Sequence, residues 1–234
     1  MRSAALPPVI AVVQRKGGTG KTTVALALAG ELSRRCYRVA VVDSDSQRSA
    51  GQWGELGRLP FEVRELPFDA NKSRLWAHDL TAISSELIVL DTPSSEQAVA
   101  AAMTVAAVAV MPCTPSGLDV EATEQALKIV RAVRARRGGS AGIVIVPNRV
   151  DARTLEGRQL QETLNRFGES VASPISARAA FVRAFFAGET LQDYAPNTVA
   201  DREVRKLTNR VLELLWSRGT QSPVSRVANA QFAS

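Results

Sequence analysis

Eight consecutive residues carry the clearest chemical signal in the chain: Lys16-Gly17-Gly18-Thr19-Gly20-Lys21-Thr22-Thr23. They follow an apolar run, Val9-Ile10-Ala11-Val12-Val13, and precede a helix-forming run at 24–35. A strand, a glycine-rich turn and a helix start are the setting in which backbone N–H groups cradle phosphate. Glycines let those groups turn inward with no Cβ in the way. The helix start adds unpaired donors and the positive end of its dipole. In such a loop Lys21 reaches the β- and γ-phosphates, and the Thr22 hydroxyl takes Mg²⁺. The ordinary pattern wants a glycine five residues before Gly20. That position is Arg15, and a lysine, Lys16, stands directly before the paired glycines instead.

Carboxylates recur at the ends of apolar runs. The second run, 37–42, ends in Asp43-Ser44-Asp45-Ser46-Gln47. Carboxylates at the carboxyl end of a strand sit where open α/β sheets bind ligand. Taken alone, the stretch could equally be a polar turn with Ser46 as a helix cap. Leu87-Ile88-Val89-Leu90-Asp91 is a third apolar run closed by an acid, the form in which a strand-tip Asp takes Mg²⁺ through its waters. Thr92 to Ser95 follow as a candidate γ-phosphate sensor.

Lys16 to Thr23 resembles the deviant Walker A box of the ParA/MinD ATPases. In that family the early lysine, here Lys16, crosses to the partner's nucleotide when two subunits sandwich two ATP molecules. It stabilises charge on the transferring phosphoryl group as an arginine finger does. The 43–47 stretch is similar to the family's Asp-x-Asp-Pro-Gln box, with Ser46 in place of the proline. By that match Asp45 polarises the attacking water and Asp43 acts on Mg²⁺ through water. An amide after the sixth strand contacts adenine in the family, which makes Asn148 the candidate here. The resemblance implies slow ATP hydrolysis stimulated by a partner protein, an ATP-dependent homodimer, and non-specific binding to nucleoid DNA in a bacterial cytoplasm. It leaves open a cargo that is a plasmid, a chromosome origin, a carboxysome-like compartment or a chemoreceptor cluster.

The elements that must position these groups alternate strand and helix. Strands are expected at 9–14, 37–42, 61–66, 87–91, 107–112, 142–146 and 171–175, with 61–66 at an edge because it alternates apolar and charged residues. Helices are expected at 22–35, 48–56, 71–84, 119–137, 155–167, 176–188 and 199–218. This α/β alternation predicts a mostly parallel twisted sheet with helices on both faces, the P-loop fold of the deviant Walker A type. Residues 1–8 read as a short lead-in without a helix-turn-helix domain, 9–218 as one ATPase domain, and 219–234 as a flexible tail.

Composition narrows the partners. The chain has 234 residues, 45% of them hydrophobic and 22% charged, with a net charge of +6 and a pI near 9.9. Arginine supplies 24 of the 29 basic residues. That excess favours nucleic acid or an anionic surface. Arg178, Arg183, Arg202, Arg205, Lys206 and Arg210 cluster in the last third, and three of them share one face of the final helix by their three- and four-residue spacing. They are DNA-phosphate candidates, although a merely solvated helix face would look the same. A membrane-cycling regulator of the MinD type is the alternative, but 220–234 holds only Arg226 as a basic residue, a poor anchor. Cys36 and Cys113 are expected as buried free thiols, neither in an iron–sulfur motif.

Overall fold

The computed structural model describes residues 6–217. The proposed tail at 219–234 and residues 1–5 of the lead-in lie outside them. Seven strands form one sheet: β1 (Val9–Val12), β2 (Val39–Asp43), β3 (Glu62–Glu65), β4 (Leu87–Asp91), β5 (Ala106–Cys113), β6 (Gly142–Pro147) and β7 (Ser170–Val171). Their spatial order is β3-β2-β4-β1-β5-β6-β7, and every neighbouring pair is parallel. A parallel sheet needs crossovers, and these put helices on both faces. The expected fold class is therefore the one observed, with the charged strand β3 at an edge.

The central strands are buried on both sides, and residue parity assigns each side chain to a layer. Val9, Ala11 and Val13 join Ile88 and Leu90 in one core layer, under α4 (Glu96–Val105), α5 (Gly117–Arg136) and α6 (Leu155–Asn165). Ile10 and Val12 join Leu87 and Val89 in the other, under α1 (Lys21–Arg34), α2 (Ser49–Gly54), α7 (Ala179–Ala187) and α9 (Val199–Trp216). A four-residue helix, α8 (Leu191–Tyr194), packs against α1 through Gln192, whose Nε2 donates to the Ala27 carbonyl at 3.1 Å.

Several local expectations need correction. Residues 71–84 do not form one helix. A 3₁₀ turn at Ala70–Lys72, α3 (Ser73–Asp79) and a second 3₁₀ turn at Leu80–Ala82 replace it. Leu75, on the apolar side that a single 71–84 helix would have, is 63% exposed, and Trp76 is buried with Nε1 donating to Ser44 Oγ and the Leu66 carbonyl, both at 3.2 Å. Helix α4 is absent from the sequence-based expectation, because its alanine-rich sequence runs without a break into the apolar strand β5. The strand expected at 171–175 is only Ser170–Val171, since Pro174 has no N–H to continue a ladder. Cys36 is exposed, in the tight turn after α1 with φ 65°, while Cys113 is buried as expected. The cap before α2 is Arg48 in left-handed conformation, not Ser46.

Candidate active site

Strand order brings the three boxes together. β1 is flanked by β4 and β5, and β4 by β2, so the 16–20 loop leaves the sheet beside both acidic strand tips. Val12 is in register with Asp91, and Asp91 with Asp43. The Thr92 hydroxyl donates to the Val12 carbonyl at 2.9 Å and fixes the exit of β4 against the entry of the loop.

The loop backbone turns through Gly18 at φ 79° and Gly20 at φ 91°. Gly20 is doubly constrained, because a Cβ there would meet Asn148 Nδ2 at 2.4 Å. Asn148 is buried, and Nδ2 donates to the Thr19 carbonyl at 2.7 Å. The amide therefore braces the phosphate loop while also lining the cavity. Arg149, the next residue, adds a second brace with Nη1 donating to the Gly18 carbonyl at 3.0 Å. Sequence reasoning missed Arg149; its adjacency to Asn148 was the available signal.

Lys21 opens α1 and is buried, with Nζ 2.5 Å from Ser94 Oγ. Burial lowers its pKa, opposed by the nearby Asp91 and Asp45 carboxylates. Ser94 lies within the 92–95 stretch, so that stretch does reach Lys21. Asp91 is almost wholly buried, and neither carboxylate oxygen has a well-formed hydrogen bond. Burial pushes its pKa up to about 7, moderated by the Thr22 hydroxyl and Lys21. An orphaned carboxylate beside Thr22 at the mouth of a phosphate loop fits a hard cation that carries phosphate and water as its other ligands. Among the described residues no group of three His, Cys, Asp or Glu forms a metal cage.

Asp43 is also buried, and burial raises its pKa. Its carboxylate accepts from Asp45 N at 3.1 Å and Gly51 N at 2.9 Å. It therefore organises the turn that presents Asp45. Asp45 is half-buried, lines the cavity, and holds Gln47 N at 3.0 Å. A cavity of about 820 Å³ runs from Gly17, Lys21 and Asp45 past Asn148 to Arg178, Phe181 and Phe185 on the α7 side. One end is built of phosphate donors and the other of apolar and aromatic side chains, the division a nucleotide requires.

A family profile described as the CobQ/CobB/MinD/ParA nucleotide binding domain matches residues 10–191. The chain belongs to this family. Maintenance of carboxysome distribution protein A of Gloeobacter kilaueensis is 35% identical over 192 residues, covering 80% of this chain and 82% of the relative. The chromosome-partitioning ATPase Soj of Thermus thermophilus is 28% identical over 237 aligned positions, covering 87% of this chain and 94% of the relative. In fold, this CobQ/CobB/MinD/ParA member matches a Cyanothece McdA–ATP complex with a TM-score of 0.72 at 15% identity, covering 93% of this chain and 99% of that one. MinD of Pyrococcus horikoshii with Mg-ADP gives a TM-score of 0.70 at 17% identity, covering 92% and 100%.

The basic residues assigned to DNA divide into two groups in this family member. Arg205 pairs with Asp201 at 3.3 Å, Arg210 with Glu213 at 2.9 Å, and Arg178 approaches Glu203 at 4.0 Å. Arg202 donates to the Asn197 carbonyl at 2.6 Å. Arg183 and Lys206 are exposed, with no carboxylate partner among the described residues. The opposite side of α9 buries Val204, Leu207, Val211 and Leu215, and Leu214, which the same spacing would place with them, is only half-buried. No helix among the described residues is long and apolar enough to cross a membrane.

Proposed function

We propose that this family member is a Mg²⁺-dependent ATPase that pairs on ATP and uses the pairing to position a cargo on nucleoid DNA in the bacterial cytoplasm. The observation that carries the reading is the convergence of Lys21, Asp45 and Asp91 on a phosphate loop that also bears Lys16. Gly17, Gly18, Thr19, Gly20, Lys21, Thr22 and Thr23 bind the phosphates, and Asn148 keeps the loop in shape beside the base. Thr22 and Asp91 would hold Mg²⁺, with Asp43 acting through water, and the ion would neutralise charge on the phosphate oxygens. Asp45 orients the attacking water. Lys21 stabilises the γ-phosphate in its own protomer, and Lys16 completes the pocket of a second copy.

Hydrolysis then ends the pairing, and a partner protein sets its rate. Lys206 and Arg183, backed by Arg202, Arg205, Arg210 and Arg178, contact DNA phosphates without reading sequence. Dimerisation doubles that surface and links DNA affinity to nucleotide state. The 35% identity to a carboxysome-distribution protein makes a protein compartment the first cargo to test.

The test is sedimentation and phosphate release at saturating ATP. Asp45→Ala should give a stable ATP-bound dimer with turnover reduced at least about 100-fold. Lys16→Ala should bind ATP yet stay monomeric. Normal turnover by either variant would sink the assignment.

A further inference from the structure

The segment after β7 lines the cavity through Ile175, Ser176 and Ala177. Every hydrogen-bond donor of these residues is already engaged. Ile175 N donates to the Pro147 carbonyl at 2.8 Å and Ala177 N to the Val150 carbonyl at 3.1 Å. Those two partners bracket Asn148, so the segment is fixed against the amide that braces the phosphate loop. Ser176 turns elsewhere. Its N donates to Glu203 Oε2 at 3.0 Å and its Oγ to Glu203 Oε1 at 2.7 Å. A carboxylate has no proton to give, so Ser176 is the donor in both contacts.

Glu203 reaches this rim from α9, with its side chain only 15% exposed. Leu207, four residues on and therefore on the same helix face, also lines the cavity. Arg178, the next cavity-lining residue along the rim, approaches the same carboxylate at 4.0 Å. Without Glu203, a serine hydroxyl could rotate its proton to suit either a donor or an acceptor. With the proton turned onto Glu203, it can offer a ligand only lone pairs. Purine bases differ in what they would bring to such an atom. Adenine carries an exocyclic amino group at C6, a donor. Guanine and hypoxanthine carry a carbonyl oxygen there, an acceptor. A rim that can only accept pairs with the first and leaves the second facing lone pairs.

We propose that Glu203 is a positioning residue for base selection: by taking both donors of Ser176 it fixes the hydroxyl as an acceptor, and Ser176 thereby selects a purine with an amino group at C6. The inference rests on the nucleotide-binding reading above and deepens it by assigning the choice of base. Glu203→Gln nearly keeps the size and shape of the side chain. Its amide can donate to Ser176 Oγ, which frees the hydroxyl proton to turn toward the cavity.

The experiment is calorimetry of adenosine and inosine diphosphate, each with Mg²⁺, on wild type, Glu203→Gln, Ser176→Ala and Ser176→Thr. Diphosphates separate base selection from turnover. Wild type should bind the adenosine form about tenfold or more tighter. Glu203→Gln and Ser176→Ala should each cut that preference about three- to tenfold. Ser176→Thr retains the hydroxyl and should keep it. A general loosening of the rim would weaken both diphosphates alike and leave their ratio intact, and that result overturns the proposal. Equal affinities in wild type overturn it as well. A wild type that binds neither diphosphate overturns the nucleotide reading itself, and base selection with it.

Discussion

Burial holds the Asp91 carboxyl in a state that favours its proton. An unfolded aspartate titrates near 3.9, whereas burial pushes Asp91 up to about 7. Between those values the folded, metal-free protein keeps a proton that the unfolded chain gives up. This group's contribution to stability is therefore greatest below the unfolded pKa and falls as pH rises toward 7. Melting of the nucleotide-free protein from pH 5 to 8 should show that fall. Asp91→Asn should flatten it and raise the melting temperature at pH 8, and an unchanged profile would contradict it. Gly20 makes a second residue-scale case. Gly20→Ala forces a side chain into φ 91° and against Asn148, so it should cost about 1–3 kcal/mol of stability. Because the displaced amide braces the Thr19 carbonyl, calorimetry should also register weaker ATP binding.

At the scale of elements, the charged anchor between α1 and α9 sets where the basic face of α9 lies. Asp201, fully buried in the first turn of α9, takes Arg34 at 2.8 and 3.2 Å, Asn197 N at 2.9 Å and Arg205 at 3.3 Å. Burial opposes its charge, yet the hydrogen bonds from Arg34 and Asn197 N and the charges of Arg34 and Arg205 together outweigh that and lower its pKa. Arg34 also binds Glu31, itself buried against Arg35 at 2.7 Å. Asp201→Ala should therefore destabilise the protein by about 2–4 kcal/mol in urea unfolding at pH 7. A change below about 0.5 kcal/mol would show that the anchor contributes little. Helical spacing alone assigns Arg205 to DNA, but part of its charge is committed to this anchor. Spacing places a residue on a face; it does not reveal which acid the neighbouring helix brings.

For the whole molecule, the proposed DNA contact depends on which basic side chains are left without an acid. Arg183 and Lys206 should carry more of the DNA affinity than Arg205 or Arg210, whose guanidiniums already have carboxylate partners. Arg183→Ala and Lys206→Ala should each reduce the slope of log affinity against log salt by about 1 for each phosphate no longer neutralised. Arg210→Ala should leave the slope within error. Fluorescence anisotropy on unrelated duplexes with the ATP analogue measures all three, and equal slopes would move the interface off α9.

Much of this was readable before folding. The 16–23 loop, Asp43, Asp45 and Asp91 were legible because each lies at the end of an apolar run, and that position is a local property of the chain. The alternation of strand and helix, and the edge position of β3, were legible for the same reason. What required tertiary structure was every contact between distant segments. Asn148 and Arg149 meet the Thr19 and Gly18 carbonyls only because β6 lies beyond β5, two strands from β1. The ion pair of Lys16 with Asp119 joins a loop and a helix about a hundred residues apart in sequence. No periodicity records such a pairing, since it is fixed by crossover geometry and by the cost of leaving a buried charge alone. The sequence determined which groups are present for nucleotide chemistry; the fold decided what holds each of them until the nucleotide arrives.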